Sequence, residues 1–238
     1  MINHNNCEGV SAERMRSATI VKVSSRSASC HARSSFVRSR IGGANADRTD
    51  DNVYEFVMLA VSTGRRRGEL LALTWADVDF VGRVLRLSKS LEQTKEGLRV
   101  KCTKNDKPRE ISLAKSSIEV LRAHRDRQAE NRRLFGADYR DDLNLVFAAP
   151  DGNYLKPDSV TAKACALASK AGLKGIGLHT LRHSHGSQLL SEGVPLPAVS
   201  KRLGRSSVYV TATIYSHALS KDEVAAADGW DAVNAKIS

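Results

Sequence analysis

The sequence predicts a mainly helical domain with a small antiparallel β-sheet, an α+β fold, and three features lead to that reading. Apolar residues recur at helical spacing around 53–61 and through most of the chain beyond Ala114. Short β-prone runs at 84–87, 98–100 and 111–113 are separated by basic turns. The texture of the chain also changes near Asp50, before which no apolar period is sustained.

Residues 1–46 are rich in Ser, Arg, Asn and Ala, with only brief apolar stretches such as Ile20-Val21 and Phe36-Val37. This composition predicts a poorly ordered basic segment, with a DNA-contacting arm as its functional alternative. From 47 to 238 the chain reads as one domain. Val53, Phe56, Val57, Ala60 and Val61 line one helical face, and Gly64 is placed to close that helix. A short helical stretch carries Glu69, Leu70, Leu71 and Leu73, and the run from Trp75 to Phe80 turns into strands.

Beyond Ala114, Ile118, Leu121 and His124 mark one helix, and Pro157-Asp158-Ser159 starts another. Further helices are expected around 180–191, 196–203 and 207–215. The tail, 220–237, has a capping Ser, acidic first-turn residues and apolar Val224, Trp230 and Val233. Trp75 and Trp230 read as core anchors.

Lys and Arg number 37 against 26 Asp and Glu, a formal net charge of +11, which suits a nucleic-acid binder without specifying one. Cys7, Cys30, Cys102 and Cys165 lie far apart with no C-x-x-C pair, which argues against a zinc ribbon or a disulfide framework. No apolar run reaches the roughly 20 residues that span a bilayer, and the expectation is a soluble cytoplasmic protein.

The chemistry-bearing residues cluster in Gly177-Leu178-His179-Thr180-Leu181-Arg182-His183, then Leu203-Gly204-Arg205-Ser206-Ser207, then Ile214-Tyr215-Ser216-His217. His179, Arg182 and His183 fall on one side of a helix. A zinc site on the two histidines is disfavoured, because Arg182 adds a cation to that face and no Glu stands where a hydrolytic zinc helix needs one. Arginines bind phosphate well, since guanidinium matches its oxygens in bidentate geometry and stays charged. Arg66, in Thr63-Gly64-Arg65-Arg66-Arg67-Gly68-Glu69-Leu70, is the natural companion to Arg182. His183, His185 and His217 read as packing or hydrogen-bonding residues.

The series T-G-x-R-x-x-E-L, H-x-L-R-H, L-G-x-S-S and I-Y-S-H resembles the motif series of the tyrosine recombinases, the phage integrase family, across about residues 50–220. The resemblance implies an integrase-like catalytic fold and site-specific recombination of double-stranded DNA through a 3′-phosphotyrosine link. Its catalytic set maps to Arg66, Lys104, His179, Arg182, Arg205 and Tyr215, with Glu69 supporting Arg66. Lys101 and Lys107 are close alternatives to Lys104.

By the same resemblance, Tyr215 attacks, His179 takes its proton and Lys104 protonates the leaving 5′-oxygen. Neither metal nor ATP is required, and a homo-tetramer on paired DNA sites joined by the C-terminal helix is expected. Two departures stand out. Arg205 replaces the usual His or Trp, and Arg65 replaces a usually apolar residue. Residues 1–46 also match neither the family's separate DNA-gripping domain nor its usual opening helix. The rival reading is a catalytically weakened DNA-binding remnant; a metal-dependent nuclease is disfavoured because no carboxylate cluster is evident.

Overall fold

The computed structural model describes residues 52–102, 108–205, 207–219, 227 and 230. The expectations for residues 1–46, for Lys104 and for most of the tail after Leu219 therefore lie outside the described residues.

Helix α1, Val53–Thr63, is the axis of the fold. Phe56, Val57, Leu59, Ala60 and Val61 are all buried, so it is apolar nearly all round, as a helix enclosed by neighbours must be. It packs against α3 (Lys115–Phe135), α4 (Pro157–Lys170) and α5 (Leu178–Ser191). The expected stop at Gly64 is present, in the left-handed conformation at φ 63°. An added Cβ there would lie 2.5 Å from the His185 ring, so this position needs glycine for space as well as for backbone. Helix α2, Arg67–Leu71, follows at once, and Leu70 and Leu71 complete the core beside α1.

The β-structure is divided. Strands β1 (Val78–Asp79), β2 (Val84–Leu87) and β5 (Arg109–Ser112) form a three-stranded antiparallel sheet in the order β1-β2-β5. Between β2 and β5 the chain makes a separate antiparallel ribbon of β3 (Lys89–Thr94) and β4 (Gly97–Cys102). The sequence gives no sign of β3, because only Leu91 of its six residues is buried and the alternation that marks a half-buried strand is missing.

Helices α6 (Leu196–Leu203) and α7 (Val208–Leu219) pack on each other and on α5. A small second cluster of Val199, Leu203 and Tyr215 seals them, and the Thr211 hydroxyl donates to Ser200 Oγ across the pair at 3.0 Å. Trp75 behaves as expected, packing against the core while its indole N–H donates to Gln128 at 2.6 Å. Trp230 does not. It is 66% exposed, so the core-anchor expectation fails for it.

The join between α6 and α1 is polar. Arg202, on the last turn of α6, donates to the carbonyls of Ser62 and Ser112, each at 3.2 Å, and its Nε donates to His185 Nε2 at 3.1 Å. The other His185 nitrogen bonds the Val61 carbonyl, which fixes a neutral ring that donates on one side and accepts on the other. Burial first, and then Arg202, Arg65 and Arg182, hold its pKa down to about 4.

The depressed value implies stability that is complete above about pH 6.5 and is lost as pH falls toward 4, because only the unfolded chain takes the proton readily in that window. Over it, stability should fall by about 1 kcal/mol per pH unit from this ring alone. Urea unfolding of the wild type and of His185→Asn at several pH values checks this. The variant should have a visibly flatter profile between pH 6.5 and 4, and an identical profile would refute the assignment.

Candidate active site

The turn after α1 and the turn after α6 face each other, and arginines bridge them. Arg182, on α5, is buried and sends one Nη to the Gly64 carbonyl and the other to the Leu203 carbonyl, both at 2.7 Å. Arg66, with half of its side chain exposed, donates through Nη1 to Glu69 Oε1 at 3.2 Å and to the Gly204 carbonyl at 3.4 Å. Arg65 donates to the Arg202 carbonyl. The last carbonyls of a helix have no partner within it and lie at the negative end of its dipole, so the C-terminus of α6 is a natural seat for guanidinium groups.

Glu69 is the carboxylate within this cationic group, and it is 3% exposed. Its Oε2 accepts from the Arg66 backbone N–H at 3.2 Å and so caps α2, while its Oε1 accepts from Arg66 and from Arg109, both at 3.2 Å. Arg65 Nη1 stands 3.7 Å away. The supporting role expected of Glu69 thus has a local basis: one buried acid fixes both the backbone and the side chain of Arg66.

Tyr215 lies in the middle of α7, where the helix breaks, with φ −110° and ψ 15°. Its side chain is fully buried and its hydroxyl has no hydrogen-bond partner. The ring lies 4.9 Å from the His183 ring, and the Arg205 guanidinium carbon sits 5.7 Å from its centroid. Burial lowers the pKa of Arg182 to about 10, with Arg66 and Arg205 adding to the effect and Glu69 and Tyr215 opposing it, so all of these groups are within electrostatic reach of Arg182. His179 is exposed on the first turn of α5.

The structure therefore brings Arg66, Arg182, Arg205 and Tyr215 together, with Glu69 beneath them and His179 one helical turn from Arg182. Of the histidines read as structural, His185 is buried and hydrogen-bonded, whereas His183 is exposed and packs on Tyr215; the His217 side chain lies outside the described residues. Sequence reasoning missed three participants. Arg109 reaches Glu69 and the Gly204 carbonyl from β5. Gly186 gives the phenol its space, since a Cβ there would run into Tyr215 Oη and lie 2.6 Å from Cζ. Arg65 appeared only as extra charge on the turn, yet its side chain is fully buried, with no hydrogen-bond partner at Nε or Nη1, a long ion pair to Glu69, and a pKa pulled down to about 10, chiefly by burial. Among the described residues, no group of three or more His, Cys, Asp and Glu side chains is placed to hold a metal ion.

Two outcomes follow from this packing. Arg65→Met should raise stability by about 1 kcal/mol or more, because Glu69 keeps Arg66 and Arg109 while a poorly paired buried cation is replaced by an apolar chain. A lower urea midpoint would contradict this account. Gly186→Ala should cost about 1–3 kcal/mol through overpacking and push the phenol outward. Faster nitration at Tyr215, mapped by mass spectrometry, checks the displacement.

Residues 43–222 match the phage integrase family. A tyrosine recombinase XerC-like protein of Caldanaerobacter subterraneus subsp. tengcongensis is 33% identical over 184 residues, covering 72% of this chain and 47% of that protein. The ICEBs1 integrase of Bacillus subtilis is 30% identical over 178 residues, covering 74% of this chain and 48% of its own length. The chain thus spans about half the length of the curated relatives it matches.

Among solved structures, the fold resembles the Tn1549 transposon integrase in complex with transposon right end DNA, with a TM-score of 0.64 at 20% identity over 75% of this chain and 58% of that one. It also resembles XerA recombinase, with a TM-score of 0.61 at 22% identity over 80% of this chain and 61% of that one. With the family match taking in well over half of the sequence and its motif residues gathered around one pair of turns, this chain belongs to the phage integrase family of tyrosine recombinases.

Proposed function

We propose that this chain is the strand-cleaving and rejoining part of a site-specific DNA recombinase acting in the cytoplasm, with Tyr215 as its nucleophile. One observation carries the reading: Arg66, Arg109 and Arg182, from three separate segments, converge on the turn Leu203-Gly204-Arg205, and Tyr215 lies beneath Arg205 of that turn. Guanidinium groups fixed before the reaction begins can stabilise the charge that builds on a phosphate under attack, without reorganising as it develops. The net charge of +11 favours a polyanionic partner, and the similarity to tyrosine recombinases, among them the DNA-bound Tn1549 integrase, makes DNA the natural one.

In the proposed reaction, Tyr215 Oη forms a bond to the scissile phosphorus as the bond to the 5′-oxygen breaks. His179 accepts the phenolic proton and Lys104 supplies one to the departing 5′-oxygen. Arg66, Arg182 and Arg205 hold the non-bridging oxygens. The 3′-phosphotyrosine keeps the phosphodiester's energy, and a 5′-hydroxyl from a second strand reverses the step. The phenol must first leave its pocket, and the break in α7 at Tyr215 gives the backbone a point at which to turn. Leaving forfeits ring burial but no hydrogen bond, because the hydroxyl has none. The working assembly is a homo-tetramer on paired sites.

A second reading is a weakened, DNA-binding remnant, and the observation favouring it is that Arg205, where the family usually places His or Trp, lies over the Tyr215 ring with its Nε buried and unpartnered. One experiment separates the readings. The chain is incubated in EDTA with short duplexes of randomised sequence, each carrying a nick, and detergent-resistant protein–DNA species are isolated. Recombinase chemistry gives an adduct that disappears in Tyr215→Phe and drops about a hundredfold in Arg66→Ala. Arg205→His should raise the yield. Binding without an adduct favours the remnant, and cleavage only with magnesium points to a nuclease.

A further inference from the structure

Arg66 and Arg109 have the same two acceptors. Arg66 Nη1 donates to Glu69 Oε1 at 3.2 Å and to the Gly204 carbonyl at 3.4 Å; Arg109 donates to the same Oε1 through Nη2 and to the same carbonyl through Nη1, both at 3.2 Å. The two guanidiniums come from different parts of the fold, Arg66 from the cap of α2 and Arg109 from the first position of β5. Glu69 is buried, while the Arg66 side chain is 50% exposed and that of Arg109 36%. Gly204 is kept bare for this contact, because a Cβ would overlap Arg109 Nη1 and the residue sits at φ 64°.

The duplication matters because Arg66 cannot serve Glu69 and a phosphate fully at the same time. Without Arg109, turning Arg66 toward a phosphate would leave buried Glu69 Oε1 with no donor, while Oε2 kept only the Arg66 backbone N–H and the longer ion pair to Arg65, and a buried acceptor left unpaired is costly. We propose that Arg109 is a positioning residue of the cleavage site, holding the Glu69 carboxylate and the Gly204 carbonyl while Arg66 is engaged with the scissile phosphate. The proposal rests on the recombinase reading given above. Arg109 also opens β5, one residue beyond the segment 103–107 that contains Lys104, and it pairs with Leu87 of β2. One side chain therefore ties the start of β5 to α2 and to the turn after α6.

The test is a double-mutant cycle on the whole chain, using the randomised nicked duplexes and measuring the rate of adduct formation at saturating DNA. Arg109→Ala should slow the reaction about tenfold while changing duplex affinity far less, and Arg109→Lys should restore part of the loss. In a Glu69→Gln background, where the Gly204 carbonyl is the main group left to hold, Arg109→Ala should slow the reaction only about two- to threefold. An equal fractional loss in both backgrounds, or a loss wholly explained by weaker DNA binding, overturns the proposal.

A second measurement covers the case in which Glu69→Gln alone abolishes cleavage or the wild type forms no adduct. Titration with inorganic phosphate, followed by calorimetry, should give several-fold weaker binding in Arg109→Ala, with thermal unfolding verifying that the variant is folded. Unchanged phosphate affinity in a folded Arg109→Ala overturns the proposal. A wild type that binds phosphate but forms no adduct counts against the recombinase reading instead.

Discussion

The C-terminus of α6 holds this molecule's cations together. Arg65, Arg66, Arg109 and Arg182 donate to the carbonyls of Arg202, Leu203 and Gly204, and in doing so they lie close enough to repel one another. Burial first, and then mutual repulsion, disfavours such a cluster, and both lower the pKa values of Arg65 and Arg182. The oxygens at the helix end and the carboxylate of Glu69 offset that penalty. The result is a set of guanidinium groups already positioned and partly desolvated before any phosphate arrives, which is the condition under which electrostatic stabilisation of a transition state is strongest.

The acceptors in this arrangement are mostly backbone atoms. Side chains of the last turn of α6 can therefore vary without removing them, provided that the helix persists and Gly204 keeps its left-handed geometry. Arg202 shows the economy of the design: its carbonyl receives Arg65 while its own guanidinium donates to Ser62, Ser112 and His185. The same few residues dock α6 on α1 and balance the charge of the site.

Much of this was legible in the chain itself. Apolar spacing marked α1, Gly64 its end, and Pro157 the start of α4, because each is a local signal with a local cause. The motif series picked out Arg66, Arg182 and Tyr215 from separate segments, the first more than a hundred residues before the others, which no periodicity could have joined. What escaped notice depends on tertiary neighbours. Strand β3 has too few buried residues to alternate, Trp230 carries no mark of being exposed, and Arg65 is written like any surface arginine although its side chain is enclosed. Gly186 looks like an ordinary helical glycine until the phenol is seen lying against it.

If Tyr215 is the nucleophile proposed above, the seclusion of its phenol governs how the protein meets bulk nucleic acid. A reactive oxygen sheltered from solvent beneath an arginine cannot sample the countless phosphodiesters that a basic surface attracts. The work of drawing the ring outward has to come from contacts that only a correctly seated duplex supplies. On that reading, attraction to DNA in general is uncoupled from damage to it: a cationic chain meets many duplexes and leaves their strands whole.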